Sequence, residues 1–283
     1  MLVPFLIMMR EGIEAALIVG IVAGYLRQTG RRQWMPAVWT GIILASALCL
    51  AVGIALDRLS AEFPQRQQEM FEAAVGLVAV CILTSMVFWM KRAARSVKSQ
   101  LHNAIDTALA EAGANSRSQA MALVAMVFFA VAREGLESVF FLLATFEQSQ
   151  GYAAPIGAVL GLVVAFAVGA GIYYGVIALN LRVFFRWTGF FILFVAAGLL
   201  TGALRSLHEC GLWNGLQERA FDLSQILPAD SPVGMVLAGV FGYLDTPTVG
   251  EIGAYLLFLI PALIFYAAEG RPTPTKGTPH PAE

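Results

Sequence analysis

The chain has 283 residues, 58% of them hydrophobic and 13% charged, with a mean hydropathy of +0.73. That mix excludes an ordinary soluble domain and describes a chain that buries itself in lipid. A net charge of -1 offers no basic field for nucleic acid, and Cys49, Cys81 and Cys210 lack the C-x-x-C spacing of a metal or redox pair.

A bilayer crossing takes roughly 20 mainly apolar residues. Seven segments meet that need, at 3–26, 35–56, 70–90, 120–146, 154–178, 187–208 and 251–268. The first has no basic leader and meets charges before any small-residue cleavage site, so it is expected to stay as a span. Basic residues set the orientation. Arg27, Arg31 and Arg32 follow span one, while Lys91, Arg92, Arg95, Lys98 and Arg117 lie between spans three and four. Arg182 and Arg186 precede span six, and Arg271 and Lys276 end the chain. Seven spans place all of these on the cytoplasmic side, with the N-terminus outside and the C-terminus inside. Trp34, Trp39, Trp89 and Trp187 fall near the same ends of their spans, where indoles favour the headgroup layer.

Between spans three and four, Val97, Leu101, Ile105 and Leu109 recur at near-helical spacing beside basic residues, which predicts an amphipathic helix on the inner leaflet. The outer segment, about 209–250, holds an amphipathic stretch, LWNGLQERAFDLSQIL. It then holds SPVGMVLAGVFGY, too short to cross and so re-entrant or interfacial. Residues 269–283, rich in Pro and Thr, are expected to form a disordered cytoplasmic tail. Residues 1–268 read as one transport domain.

REGIE at 10–14 returns as REGLE at 133–137, 123 residues on, with Phe5 and Phe128 in matching places before each. Spans one and four run in opposite directions, so the copies predict an inverted repeat. Repeat one covers about 1–92 and repeat two about 118–210, with the span at 251–268 added. The fold class is therefore an all-α polytopic membrane protein with a 3+3 inverted repeat plus one helix. Small residues recur every four positions at Gly12, Ala16, Gly20 and Gly24 and at Gly157, Gly161, Ala165 and Gly169, which lets helix backbones approach closely.

Within each motif, residues three or four apart share a helix face. Glu11 lies beside Glu14 with Arg10 in reach, and Glu134, Glu137 and Arg133 repeat the pattern. An ionised residue at a helix centre costs about 2.5–3.5 kcal/mol to insert, so six oppose insertion by roughly 15–20 kcal/mol before pairing. Two arginines leave a formal -2 on four glutamates, which suits a divalent cation or two protons. Carboxylate oxygens fit magnesium, calcium, manganese or iron. Glu69 and Glu72, at the outer start of span three, and His208 and Glu209, at the outer end of span six, are candidates for an entrance.

At Arg10-Glu11-Gly12-Ile13-Glu14 and Arg133-Glu134-Gly135-Leu136-Glu137 the chain resembles the oxidase-dependent iron transporter family, and the likeness extends through FILFVAAGL and HECGLWN. The resemblance implies high-affinity iron uptake across the bacterial inner membrane, with Glu11, Glu14, Glu134 and Glu137 as metal ligands and Arg10 and Arg133 as supporting ion pairs. It implies iron as transported substrate, no permanently bound cofactor and no enzymatic activity of its own. The partners it implies are membrane lipid, a periplasmic cupredoxin-like iron-binding protein and a haem peroxidase. The residual -2 charge favours Fe(II); Fe(III) would call on a further carboxylate such as Glu72. Two other readings use the same glutamates. One is a proton-coupled carrier of another divalent metal. The other is a membrane di-metal redox enzyme, for which the usual Glu-x-x-His pairs are missing.

Overall fold

The computed structural model describes residues 2–61, 63–93, 107, 116–147, 152–174, 181–229 and 231–268. An apolar run in lipid must satisfy its own backbone, so the described chain is built from helices. They are α1 (Leu2–Gln28), α2 (Met35–Ala61), α3 (Gln65–Ala93), α4 (Ser116–Glu147), α5 (Ala153–Tyr173), α6 (Leu181–Glu209), α7 (Pro232–Phe241) and α8 (Val249–Ala268), with one 3-10 turn at Arg32–Trp34. Each expected span has one long helix under it, the fifth only as far as Tyr173. There the Tyr174 N–H is bonded back to the Ala170 carbonyl. Residues 175–180, the expected helix after span three except for Thr107, and the tail at 269–283 lie outside the described residues.

Among the described residues, five stretches are long and apolar enough to cross a membrane: 32–60, 65–90, 153–173, 186–209 and 249–268. The other two helices of comparable length, α1 and α4, carry REGIE and REGLE. The chain is thus an all-helical, multi-pass membrane protein. Many large apolar side chains, such as Ile43, Phe166 and Leu257, are exposed, as suits a surface that lipid covers.

The segment after α6 differs from its expected amphipathic form, since residues 212–227 form no helix. Gly211 and Leu216 both take left-handed φ values, which halt helical propagation. The strand-like path that follows is tied to the approach to α8. Ala220 N–H donates to the Pro247 carbonyl and Leu223 N–H to that of Asp245, with an antiparallel bridge between Arg219 and Thr248. The apolar stretch beyond becomes α7. The Ser231 hydroxyl accepts from Gly234 N–H at its start, and Gly242 at φ 66° ends it. Its 10 residues rise only about 15 Å, half a bilayer core. A capping box opens α8: Thr248 N–H donates to Glu251 Oε2 at 2.8 Å and Glu251 N–H to the Thr248 hydroxyl at 3.2 Å.

Glycines mark the main seams. A Cβ on Gly12 would stand 2.6 Å from the Ala165 Cβ, and one on Gly169 2.5 Å from the Ala16 Cβ, so α1 and α5 pack in parallel. A Cβ on Gly135 would stand 2.5 Å from Cys49 Sγ, and one on Gly53 3.7 Å from Val139, so α2 and α4 pack in the same sense. A shift of 123 carries Gly12 to Gly135 and Ala16 to Val139, and a shift of 116 carries Cys49 to Ala165 and Gly53 to Gly169. The two seams have the same register. Helices α3 and α6 pack on each other, and α8 covers α6. The main apolar cluster fills the space between these three helices, with Ile7 added from α1 and Phe141, Leu143 and Ala144 from α4.

At Gly161 an added Cβ would run into the Phe5 carbonyl oxygen and stand 2.9 Å from Met9 N, backbone atoms that cannot step aside. Gly161→Ala is therefore expected to destabilise the protein by about 1–3 kcal/mol, as overpacking does. At Gly20 nothing lies within 4 Å, and Gly20→Ala is expected to leave stability unchanged or raise it. Thermal unfolding of the two variants in detergent measures the contrast.

Candidate metal site

The two charged motifs meet. Glu11 from α1 and Glu134 and Glu137 from α4 each bring a carboxylate oxygen within 4.8 Å of the others. Glu11 and Glu134 are buried and Glu137 nearly so. This juxtaposition follows from helix geometry. Glu134 and Glu137 are three residues apart on one face of α4, while α1 presents Glu11 from the facing direction.

Glu14, the fourth predicted ligand, lies outside that trio. Its Oε1 sits 3.2 Å from Arg10 Nε. Arg10 is wholly enclosed and spreads its guanidinium over several acceptors. Nη1 donates to Glu11 Oε1 at 3.1 Å and to the Met86 sulfur at 3.2 Å, and Nη2 donates to the Met90 sulfur at 2.8 Å. Arg133 is placed differently. Its Nε donates to Glu137 Oε1 at 3.1 Å, but half of its side chain is exposed, and its guanidinium lies 4.7 Å over the Trp89 ring. Beside it a cavity of about 420 Å3, walled by Leu48, Ile82, Phe128, Phe129 and Phe140, reaches Arg133 and Glu137.

The electrostatic balance leaves an acceptor surplus. Glu11 Oε2 and Glu137 Oε2 are buried with no hydrogen-bond donor, and Glu14 Oε1 has only its ionic contact with Arg10. Buried oxygens of this kind are costly unless something positive meets them. Three converging hard oxygens with unused lone pairs can bind a metal cation of the class that prefers carboxylate.

The entrance candidates come together in part. Glu69, Glu72 and Glu209 line a second cavity, about 520 Å3, with Arg205. Its walls come from the start of α1 (Val3), the start of α3, the end of α4 (Thr145) and the end of α6. Helices α1 and α4 therefore run oppositely, as do α3 and α6. His208 is not among the lining residues; its ring meets Trp213 edge-on at 6.2 Å, and its Nε2 is buried without a partner. Tyr243 also lines the cavity, its hydroxyl donating to the Leu227 carbonyl at 2.8 Å; desolvation and the Asp245 carboxylate push that hydroxyl's pKa up.

Sequence reasoning missed several contacts. Met86 and Met90 are one turn apart in an apolar helix, a spacing that reads as packing. Trp89 reads as a headgroup anchor but carries Arg133. Arg205 pairs with the buried Glu251 at 3.0 Å, and only the T-V-G-E capping pattern at 248–251 flags that glutamate.

Residues 1–268 match the Iron permease FTR1 family. The chain is 58% identical over 273 residues to the ferrous iron permease EfeU of Yersinia pestis, covering 96% of this chain and 95% of the relative. It is 53% identical over 271 residues to the ferrous iron permease EfeU of Escherichia coli O157:H7, covering 96% and 97%. No solved structure matches. A match across almost the whole length, with the doubled R-E-G-x-E at its charged centre, places this chain in the iron permease FTR1 family.

Proposed function

We propose that the chain is an iron uptake permease that passes ferrous iron across the bacterial inner membrane through the Glu11, Glu134 and Glu137 cluster. The observation that carries this reading is the convergence of three carboxylates, two buried and one partly buried, from two opposed helices, with orphaned oxygens turned to no donor. Membership of the permease family and the ferrous relatives support iron over other hard cations. In this reading Glu14 and Arg10 hold the near side of the site, and Arg133 balances Glu137. The four glutamates and two arginines sum to -2, which Fe(II) neutralises without a further group.

The same reading takes α1 and α4 as spans, giving seven crossings with the N-terminus outside and the C-terminus inside. Three observations support it. The long helices alternate in direction as the topology requires, the glycine seams share one register at offsets of 123 and 116, and the acidic cavity lies at the end opposite the basic connections. Spans one to three and four to six then form an inverted repeat within one transport domain, with the ion site between them. The acidic cavity becomes an outer vestibule for Fe(II), and Glu69, Glu72 and Glu209 its attracting groups. Redox chemistry and delivery fall to a periplasmic cupredoxin-like iron-binding protein and a haem peroxidase, as the resemblance implies.

The test is radioactive iron uptake into cells or vesicles. Glu134→Gln and Glu137→Gln keep shape but remove charge, and each is expected to lower iron uptake about 10–100-fold or more, by analogy with the losses that follow disruption of a metal site. Glu14→Gln, outside the trio, is expected to lose less. Normal uptake in both of the first two variants would remove the cluster from the pathway, and equal transport of manganese would overturn the choice of iron.

The two arginines give a second contrast. Removing the enclosed Arg10 strands two buried carboxylates, so Arg10→Ala is expected to cost about 3–5 kcal/mol of stability. Arg133 is half exposed, and Arg133→Ala is expected to fold nearly as well as the parent while transporting poorly. Thermal unfolding in detergent, read beside uptake, separates the two roles.

A further inference from the structure

We propose that Ile7 and Phe141 form a hydrophobic gate between the acidic vestibule and the carboxylate cluster, closed in this structure. The inference rests on the permease reading in placing the vestibule outside and the cluster on the ion path.

Its basis is a pair of one-turn steps on opposed helices. On α1, Val3 lines the vestibule, Glu11 belongs to the cluster, and Ile7 lies four residues from each. On α4, which runs the other way, Thr145 lines the vestibule, Glu137 belongs to the cluster, and Phe141 lies four residues from each. Residues four apart stack on one helix face. Ile7 and Phe141 thus occupy the level between cavity and charge on both helices.

Both are sealed, Ile7 at 1% and Phe141 at 0% exposure. Both belong to the same apolar cluster as Val195 and Leu199, which also line the vestibule, and as Met86 and Met90, which touch Arg10. The cluster has the vestibule on one side and the charged site on the other. Two helical turns separate Val3 from Glu11, so the barrier is about 11–12 Å deep. An apolar plug of that depth excludes water, and with it a hydrated divalent ion. Iron held by Glu69, Glu72 and Glu209 therefore cannot reach Glu11 until the Ile7 and Phe141 side chains part. A site of this construction admits ions by a conformational step rather than through a standing pore.

Thiol accessibility tests the gate without iron. In a full-length chain carrying Cys49→Ala, Cys81→Ala and Cys210→Ser, single cysteines are placed at Thr145→Cys, in the vestibule, and Glu11→Cys, below the gate. A membrane-impermeant cationic thiol reagent is then applied to cells from the periplasmic side. With the gate intact, Glu11→Cys is expected to react at least about tenfold more slowly than Thr145→Cys, as a dewetted barrier requires. Adding Phe141→Ala, or Ile7→Ala as the milder opening, is expected to speed Glu11→Cys about fivefold or more while leaving Thr145→Cys unchanged, which also reports that the fold is kept. Equal rates at the two positions with the gate intact, no acceleration in either variant, or an unreactive Thr145→Cys would each overturn the proposal. Failure of the permease reading shows separately, as normal iron uptake by both Glu134→Gln and Glu137→Gln.

Discussion

The fold is organised around charge that has no water to solvate it. Six charged side chains, three in mid-helix on each of α1 and α4, stand among apolar residues. Local pairing at one-turn spacing meets part of the cost, with Arg10 reaching Glu14 and Arg133 reaching Glu137. It cannot meet all of it, because four carboxylates face two guanidinium groups. The surplus must be brought to one place and shared with something positive, and this draws Glu11 toward Glu134 and Glu137. Structure and proposed function have one cause here, since the arrangement that makes insertion tolerable also leaves oxygen lone pairs open for a passing cation.

Bringing two charged helices together requires backbones to come close, which accounts for the small residues around the motifs. Gly12 fits against Ala165 and Gly135 against Cys49, so the glycine inside each R-E-G-x-E copy faces a supporting helix. On α5 the buried residues are Ala154, Gly157, Ala158, Gly161 and Ala165, while its larger side chains, Val159, Val163 and Phe166, point outward. This inversion of a soluble core is expected where lipid is as apolar as leucine and packing alone holds helices together.

Much of this was legible in the sequence. Hydropathy marks where the long helices lie, and the doubled R-E-G-x-E points to the meeting of α1 and α4. What stayed hidden depends on which side chains meet across space. Nothing in the spacing of Met86 and Met90 distinguishes two sulfurs that receive an arginine from two that fill a core. The stretch at 212–227 looks amphipathic because its polar and apolar residues alternate in blocks, yet its backbone hydrogen bonds go to residues near 245–248, a partner that local periodicity cannot reveal. Glu69, Glu72 and Glu209 line one cavity, while His208, next to Glu209 in sequence, does not; one residue along a helix turns a side chain by about 100°, and the His208 ring meets Trp213 instead.

The seams carry a consequence for how the chain is made. Helix α1 finds its principal partner in α5 and α2 in α4, so neither half of the molecule can complete its packing alone. At translation speeds of about 5–20 residues per second, α1 must wait on the order of ten seconds in the membrane before α5 emerges. Until α3 brings Met86 and Met90 and α4 brings Glu134 and Glu137, its charges have only one another. The Arg10 contacts to Glu11 and Glu14 lie within α1 itself and are available from the start, so in the seven-span reading they are the first shelter the nascent helix has for its charges.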